Sequence, residues 1–101
     1  MWHKTGCTVK TLRTPQHRAL VAELRRVRLA AGLTQTSLAK KLGVAQSFVA
    51  KVENAERRLD VVEFARWMEA ADAFEQCSYV LERVRTGSPT ELAAQAPQTP
   101  S

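Results

Sequence analysis

Apolar residues recur at helical spacing through most of the chain. The first stripe contains four residues separated by 4, 3 and 4 positions: Leu20, Leu24, Val27 and Ala31. This spacing places side chains on one face of an α-helix. Pro15 favours a helix that starts just after it, and Gly32 is suited to the left-handed position that ends one. The pattern predicts a first helix over residues 16–31.

Two shorter helical patterns follow, and only a tight turn separates them. Thr34 is a suitable N-cap for a second helix that ends at Gly43. The inner positions of this helix are Leu38, Ala39 and Leu42. A third helix is predicted over 46–53, with Val49 and Val52 on its inner side. Two short helices joined by a glycine-containing turn have the layout of a helix-turn-helix.

Two further patterns complete the folded region. Asp60 is suited to cap a fourth helix, whose apolar positions are Val62, Ala65, Trp67 or Met68, and Ala70. The fifth pattern has apolar residues spaced 3, 4 and 3: Phe74, Cys77, Leu81 and Val84. No glycine lies between these helices, so a partial merging through 71–73 stays open. Because neither strand-like alternation nor an internal repeat occurs, we predict an all-α fold, a compact bundle of five short helices.

The two ends of the chain differ in composition from this core. Residues 1–15 show no lasting periodicity, and we expect a flexible basic leader there. Residues 86–101 are rich in Pro, Ser, Thr, Gln and Ala, which predicts a disordered tail. The folded domain is therefore assigned to 16–85. Lys10 or Arg13 of the leader could reach a minor groove.

The charge of the chain is distributed unevenly. Residues 1–58 contain 12 Lys and Arg against three Glu, whereas residues 59–101 contain three Arg against seven acidic residues. A basic front joined to an acidic back suits a protein that presents one surface to a polyanion. The alternative is ordinary solvation of polar faces, and charge alone does not decide between the two.

Several classes of function receive no support from the sequence. The apolar stretches are far shorter than the ~20 residues that span a bilayer, and we expect a cytoplasmic, nucleoid-associated protein without a membrane partner. His3 and Cys7 are too few ligands for a structural zinc site, and we interpret Cys77 as a small apolar side chain. No Ser-His-acid set or glycine-rich phosphate loop can be assembled. We therefore predict no catalysis, no metal and no cofactor.

The third helix carries the candidate chemistry for DNA. Its outer side presents Gln46, Ser47, Ala50 and Lys51. An α-helix fits the major groove, where residues near its amino end reach base edges. Gln can pair with adenine, Lys can donate to guanine, and Ala can contact the thymine methyl group. Lys51 could reach a phosphate instead of a base.

Over residues 16–71 the sequence resembles the phage-repressor-like helix-turn-helix family, of the Xre or Cro/C1 type. The matching positions are Arg28, Gly32-Leu33-Thr34-Gln35, Leu38-Ala39, Leu42-Gly43-Val44, Gln46-Ser47, Val49, Val52-Glu53 and Arg57-Arg58. This combination at fixed spacing is far more specific than a bare helix-turn-helix pattern. The resemblance implies a lambda-repressor-like domain.

The resemblance also implies roles for individual residues. Gln35 matches a phosphate-contacting position at a helix start, and the outer residues of the third helix match base-facing positions. Positions expected at the DNA backbone are Asn54, Arg57 and Arg58. Arg28 and Glu53 match a buried structural ion pair. Phe48 either packs in the core or lies against the sugar-phosphate backbone.

The sequence departs from the family pattern at two places in this motif. Ala45 stands where a capping Ser or Thr is common, which weakens the start of the third helix by ~1 kcal/mol. Asn54-Ala55 replaces a turn that often contains Gly, so the conformation of that loop is left open. Outside the motif, we interpret Arg25, Arg26, Lys40 and Lys41 as solvated surface.

These features predict a sequence-specific regulator of transcription, a repressor that binds a palindromic operator as a homodimer. The dimer interface is assigned to the fifth helix, through Phe74, Cys77, Leu81 and Val84. Trp67, Phe74 and Tyr79 are interpreted as core or interface rather than as a ligand pocket. The alternative function is an antitoxin or adaptor that binds another protein. RNA binding ranks low, because an exposed aromatic platform is missing.

Overall fold

The structure, a computed structural model, describes residues 14–90 and contains five α-helices in that range. They are α1 (Pro15–Ala30), α2 (Gln35–Leu42), α3 (Gln46–Glu53), α4 (Val61–Ala70) and α5 (Cys77–Thr86), with a 3₁₀ turn at Phe74–Gln76 before α5. No strand occurs between residues 14 and 90. The all-α fold and the five-helix bundle are confirmed, and the first three helices differ by at most one residue from their predicted bounds.

Local hydrogen bonds explain where the helices begin. The Thr14 hydroxyl accepts from the His17 N–H at 3.1 Å. Thr34 and Asp60 each form a capping box with the residue three positions later, Ser37 and Glu63 respectively. These bonds satisfy N–H groups that the first turn of a helix leaves unpaired.

The core lies where all five helices meet. Its largest apolar side chain, Trp67, is fully buried and donates its indole N–H to the Leu24 carbonyl at 3.2 Å. Around it pack Leu24, Val27, Leu38, Ala39, Leu42, Val49, Val52, Met68 and Val80. This packing holds α3 against α2 with one side turned outward.

The inner face of α4 differs from the predicted one. Val62 is 66% exposed and does not belong to the core. The residues that face inward are Phe64, Trp67, Met68 and Ala71. They are spaced 3, 1 and 3, which forms one stripe once the cap at Asp60 has fixed the start of the helix.

Helices α4 and α5 remain separate. Asp72 adopts a φ of 56°, which an α-helix cannot contain. The N–H of Ala73 donates to the Met68 carbonyl at 2.8 Å and closes the end of α4. The possible merging of the two helices is therefore wrong, because the chain turns at Asp72 without a glycine.

Residues 1–13 of the predicted leader, with Lys10 and Arg13, and residues 91–101 of the predicted tail lie outside the described residues. Residues 86–90, which were also assigned to the tail, contact the folded domain. Thr86 ends α5, and the Thr90 N–H donates to the Glu23 carboxylate. No helix of residues 14–90 is long and apolar enough to cross a membrane.

Candidate nucleic-acid interface

Helix α3 lies against α2 on one side and presents a polar ridge on the other. Val49 and Val52 are buried in the core and fix the inner side. On the outer side Gln46, Ser47 and Lys51 are exposed, and Ala50 is half-buried. The helix starts at Ala45 without any side-chain cap bond, in agreement with the weak cap expected from the sequence. We call these four outer residues, 46, 47, 50 and 51, the α3 ridge.

A buried carboxylate ties the end of α3 to α1. Arg28 donates from Nε to Glu53 Oε2 at 2.6 Å and from a terminal nitrogen to Oε1 at 3.0 Å. The same guanidinium donates to the Leu33 carbonyl at 2.8 Å, which fixes the turn between α1 and α2. The structure thus brings together the two residues assigned to the structural ion pair, in a bidentate geometry.

Gln35 continues this network to the start of α3. Its amide nitrogen donates to Glu53 Oε1 at 3.0 Å, and its amide oxygen accepts from Gln46 Nε2 at 2.8 Å. The Gln35 side chain is buried. The sequence assigned it a phosphate contact, whereas the structure shows its amide bonded inside the protein, where it orients Gln46.

Phe48 and Arg57 form a stack at the edge of α3. The Arg57 guanidinium carbon lies 4.4 Å from the centre of the Phe48 ring. Arg57 also donates to both oxygens of Glu63, at 3.1 and 3.2 Å, and to the Arg58 carbonyl at 2.7 Å. Phe48 is half-buried and packs against the core. Of its two predicted positions, the structure favours packing, with Arg57 covering the remaining face.

The loop after α3 carries the other residues expected at the DNA backbone. Asn54 and Arg58 are exposed. Ala55 adopts a φ of 61°, so the turn takes the left-handed conformation that a glycine often supplies. Arg58 lies at the surface, where it lines a pocket with His17 and Leu20 of α1.

The sequence missed three ionic contacts. Arg25 and Arg26 are largely buried, and their assignment to solvated surface is wrong. Arg25 lies 3.7 Å from Glu53, while Arg26 binds Glu23 at 2.9 Å and Gln76 at 2.9 Å. The signal was present, because Glu23 is an acid within the apolar stripe of α1. Such an acid needs a cation beside it when the stripe is buried.

The third ionic contact that sequence analysis missed joins Glu63 to Arg57. The position of Glu63 three residues after Asp60 indicates a capping box, which the structure contains. Arg57 and the Asp60 N–H hold the pKa of the Glu63 carboxyl below its usual value, since both stabilise the charged form. No spacing rule links Arg57 to Glu63, because a loop separates them.

The residues assigned to the dimer interface divide into two groups. Phe74 and Leu81 are 57% and 52% exposed. Cys77 and Val84 are half-buried and pack against the chain's own core. Burial raises the pKa of the Cys77 thiol. Residues 14–90 contain no group of His, Cys, Asp and Glu that could hold a metal ion.

Comparison with known proteins places this site in a family. A family model described as a helix-turn-helix domain matches residues 19–76. The solved structure of an XRE-family like protein from Pseudomonas syringae pv. tomato str. DC3000 is 39% identical, covers 83% of this chain and 100% of its own, and superposes with a TM-score of 0.66. No curated protein matches the chain.

Proposed function

The chain belongs to the XRE-type helix-turn-helix family of DNA-binding regulators, and on this premise we propose that it is a transcriptional repressor that reads a palindromic operator as a homodimer. The observation that carries the proposal is the α3 ridge, which is exposed while the opposite side of the same helix is fully packed. A short helix held in this way can enter the major groove without rearrangement of the core.

Base recognition is assigned to the α3 ridge. Gln46 lies at the amino end of α3, and its amide is held by Gln35. This bond leaves the oxygen of Gln46 and one of its N–H groups for a base edge. Ser47 and Lys51 supply further hydrogen-bond donors, and Ala50 suits a thymine methyl group.

The DNA backbone is assigned to the flanks of this ridge. The Thr34 hydroxyl takes the Ser37 N–H in the first turn of α2, and the remaining N–H groups of that turn together with the helix dipole favour a phosphate. Asn54 and Arg58, in the loop after α3, are exposed. We assign these groups and the start of α2 to phosphate contacts, which would set the position of the ridge in the groove.

The alternative of an antitoxin or adaptor rests on a different surface. Four large apolar side chains of residues 14–90 are more than half exposed: Val61, Val62, Phe74 and Leu81. Such residues favour contact with protein. They are compatible with a second copy of this chain and also with another partner, so this function is kept as the second candidate.

The test starts from the sequences that the protein selects from random duplex DNA. We expect an inverted repeat, because a two-fold dimer presents two α3 ridges. Gln46→Ala and Lys51→Ala should reduce discrimination between the selected site and a single-base variant by ~1–3 kcal/mol per contact. Arg58→Ala should weaken binding to all duplexes alike. Equal losses on selected and random DNA for all three variants would contradict the assigned roles.

A further inference from the structure

Arg57 carries a positive charge at the edge of the α3 ridge, yet the fold supplies its counter-ion. Both Glu63 carboxylate oxygens accept from it, and the Arg58 carbonyl accepts a third hydrogen bond. Three of the five N–H groups of the guanidinium are thus engaged inside the protein. One face of the guanidinium plane is covered by the Phe48 ring.

The neighbouring Arg58 is in a different environment. It is exposed and pairs with no carboxylate within residues 14–90. The two arginines therefore differ in the charge they can offer to a phosphate, although they are adjacent in sequence. A family resemblance at both positions does not distinguish them.

Glu63 is fixed in place by more than this ion pair. Its Oε1 accepts from the Asp60 N–H at 3.0 Å, while its own N–H donates to Asp60 Oδ1 at 2.7 Å. This reciprocal cap anchors the carboxylate at the first turn of α4, beside the loop that follows α3. The carboxylate cannot swing away from Arg57 without loss of the cap.

We propose that Glu63 is a positioning residue that holds Arg57 on Phe48 and withholds its charge from DNA phosphates. In this arrangement Arg57 stiffens the edge of α3, and Arg58 makes the phosphate contact. The carboxylate also repels phosphate, and so limits affinity for DNA of any sequence. The inference rests on the proposed DNA-binding function and deepens it.

The test measures binding to a random-sequence duplex by fluorescence anisotropy between 50 and 200 mM KCl. Glu63→Gln keeps an oxygen that can accept from the Asp60 N–H, but removes the charge. Freed Arg57 should then displace one more counterion. The slope of log Kobs against log salt should steepen by about 0.9. The ratio of the variant's affinity to that of the wild type should therefore be ~3-fold larger at 50 mM than at 200 mM.

A pair of arginine variants tests the same idea without altering Glu63. Methionine keeps the aliphatic contact of the side chain but has no charge. Arg58→Met should make the slope shallower by about 0.9, whereas Arg57→Met should change it by less than a third of that amount. In the Glu63→Gln background, Arg57→Met should recover the full change. Equal effects of the two arginine variants in the wild-type background would overturn the proposal.

The matched control is Glu82→Gln on α5. Glu82 pairs with Arg85 three residues later, so its substitution changes the net charge by the same amount away from the α3 ridge. We expect an unchanged slope, and equal steepening would show that net charge alone is responsible. A wild-type protein that binds no duplex would overturn the proposed function, whereas salt-dependent wild-type binding with an unaltered Glu63→Gln slope overturns this inference alone.

Discussion

A single residue, Ala55, determines how the chain leaves α3. Its φ of 61° lies in the left-handed region, which costs an L residue roughly 1–2 kcal/mol relative to glycine. The turn nevertheless closes, because the Glu56 N–H donates to the Lys51 carbonyl at 2.8 Å. The strain at Ala55 is therefore balanced by the hydrogen bonds that end α3.

Ala55→Gly should relieve this strain. Glycine also gains conformational entropy in the unfolded chain, which lowers the free energy of unfolding by about 0.4–1 kcal/mol. After this loss is subtracted from the relief of strain, we expect the free energy of unfolding to rise by up to ~1 kcal/mol. Urea titration followed by circular dichroism measures it. Gly43→Ala is the mirror control: its φ is 73° and a Cβ there would meet nothing within 4 Å, so a loss of ~1 kcal/mol would be conformational. An Ala55→Gly variant with a lower free energy of unfolding than the wild type would contradict the backbone strain at Ala55.

His17 gives the stability a dependence on pH. Partial burial and repulsion from Arg58 lower the pKa of its imidazole, and Nε2 has no hydrogen-bond partner among residues 14–90. The folded state therefore disfavours protonation, whereas the unfolded chain protonates near 6.5. The resulting stability is present above pH 6.5 and is lost as the pH falls through the lowered pKa of the folded state.

We expect the free energy of unfolding to decrease between pH 7.5 and 5.5 in the wild-type protein. His17→Gln should flatten this decrease, because it removes the imidazole whose pKa is lowered in the folded state. Urea unfolding at four pH values measures both proteins. An identical pH profile for the two would show that His17 does not carry the effect.

At the scale of elements, α1, α2 and α3 are joined by one buried carboxylate. Glu53 on α3 accepts from Arg28 on α1 and from Gln35 on α2. Because Gln35 also holds Gln46, the ridge on α3 is linked to this ion pair through two hydrogen bonds. The orientation of the Gln46 side chain thus depends on Gln35 and, through it, on Glu53 and Arg28.

Arg28→Met should destabilise the fold by ~3–5 kcal/mol, because it leaves the Glu53 charge buried without its main partner. Adding Glu53→Leu removes that charge, so the double variant should be more stable than Arg28→Met alone. Urea unfolding of the two single variants and the double variant provides the cycle. Additive losses would show that the two side chains do not stabilise each other.

The helix boundaries could be predicted because their signals are local. Thr34, Gly43 and Asp60 act within one turn of their own positions, and a single sequence contains all of that information. The inner face of α4 could not, since ten residues allow two stripes and only the packing of Trp67 against the other helices selects one. The contact of Arg26 with Gln76 and the pairing of Arg57 with Glu63 join residues across loops, for which periodicity has no signal.

At the scale of the whole molecule, the uneven distribution of charge suggests one contact surface, and the exposed apolar residues suggest another. Lys51, Arg57 and Arg58 lie on α3 and in the loop after it, whereas most of the large exposed apolar residues lie on α4, on α5 and in the turn between them. A molecule that binds DNA with one region has the other available for a second copy. The motif predicted the overall architecture, but the division of the α5 stripe between core and surface came only from packing.

This division sharpens the expected dimer. Of the four residues assigned to the interface, Leu81 and Phe74 are exposed enough to contact a partner, and Leu81 lies near the middle of α5. Leu81→Glu should abolish the dimer in sedimentation velocity, because a charge would be buried at the interface. On a selected operator it should weaken binding about 10-fold or more, while binding to an isolated half-site stays unchanged.

Leu29→Glu is the control, since Leu29 is 42% exposed but lies on α1. It introduces the same charge and should leave both assembly and operator binding as in the wild type. A new negative charge that weakened DNA binding by general repulsion would do so in both variants. A loss that occurs only in Leu81→Glu therefore depends on the position of the charge. A wild-type protein that sediments as a monomer both free and on two half-sites would rule out the dimer, and the exposed side of α5 would then have to face a different protein.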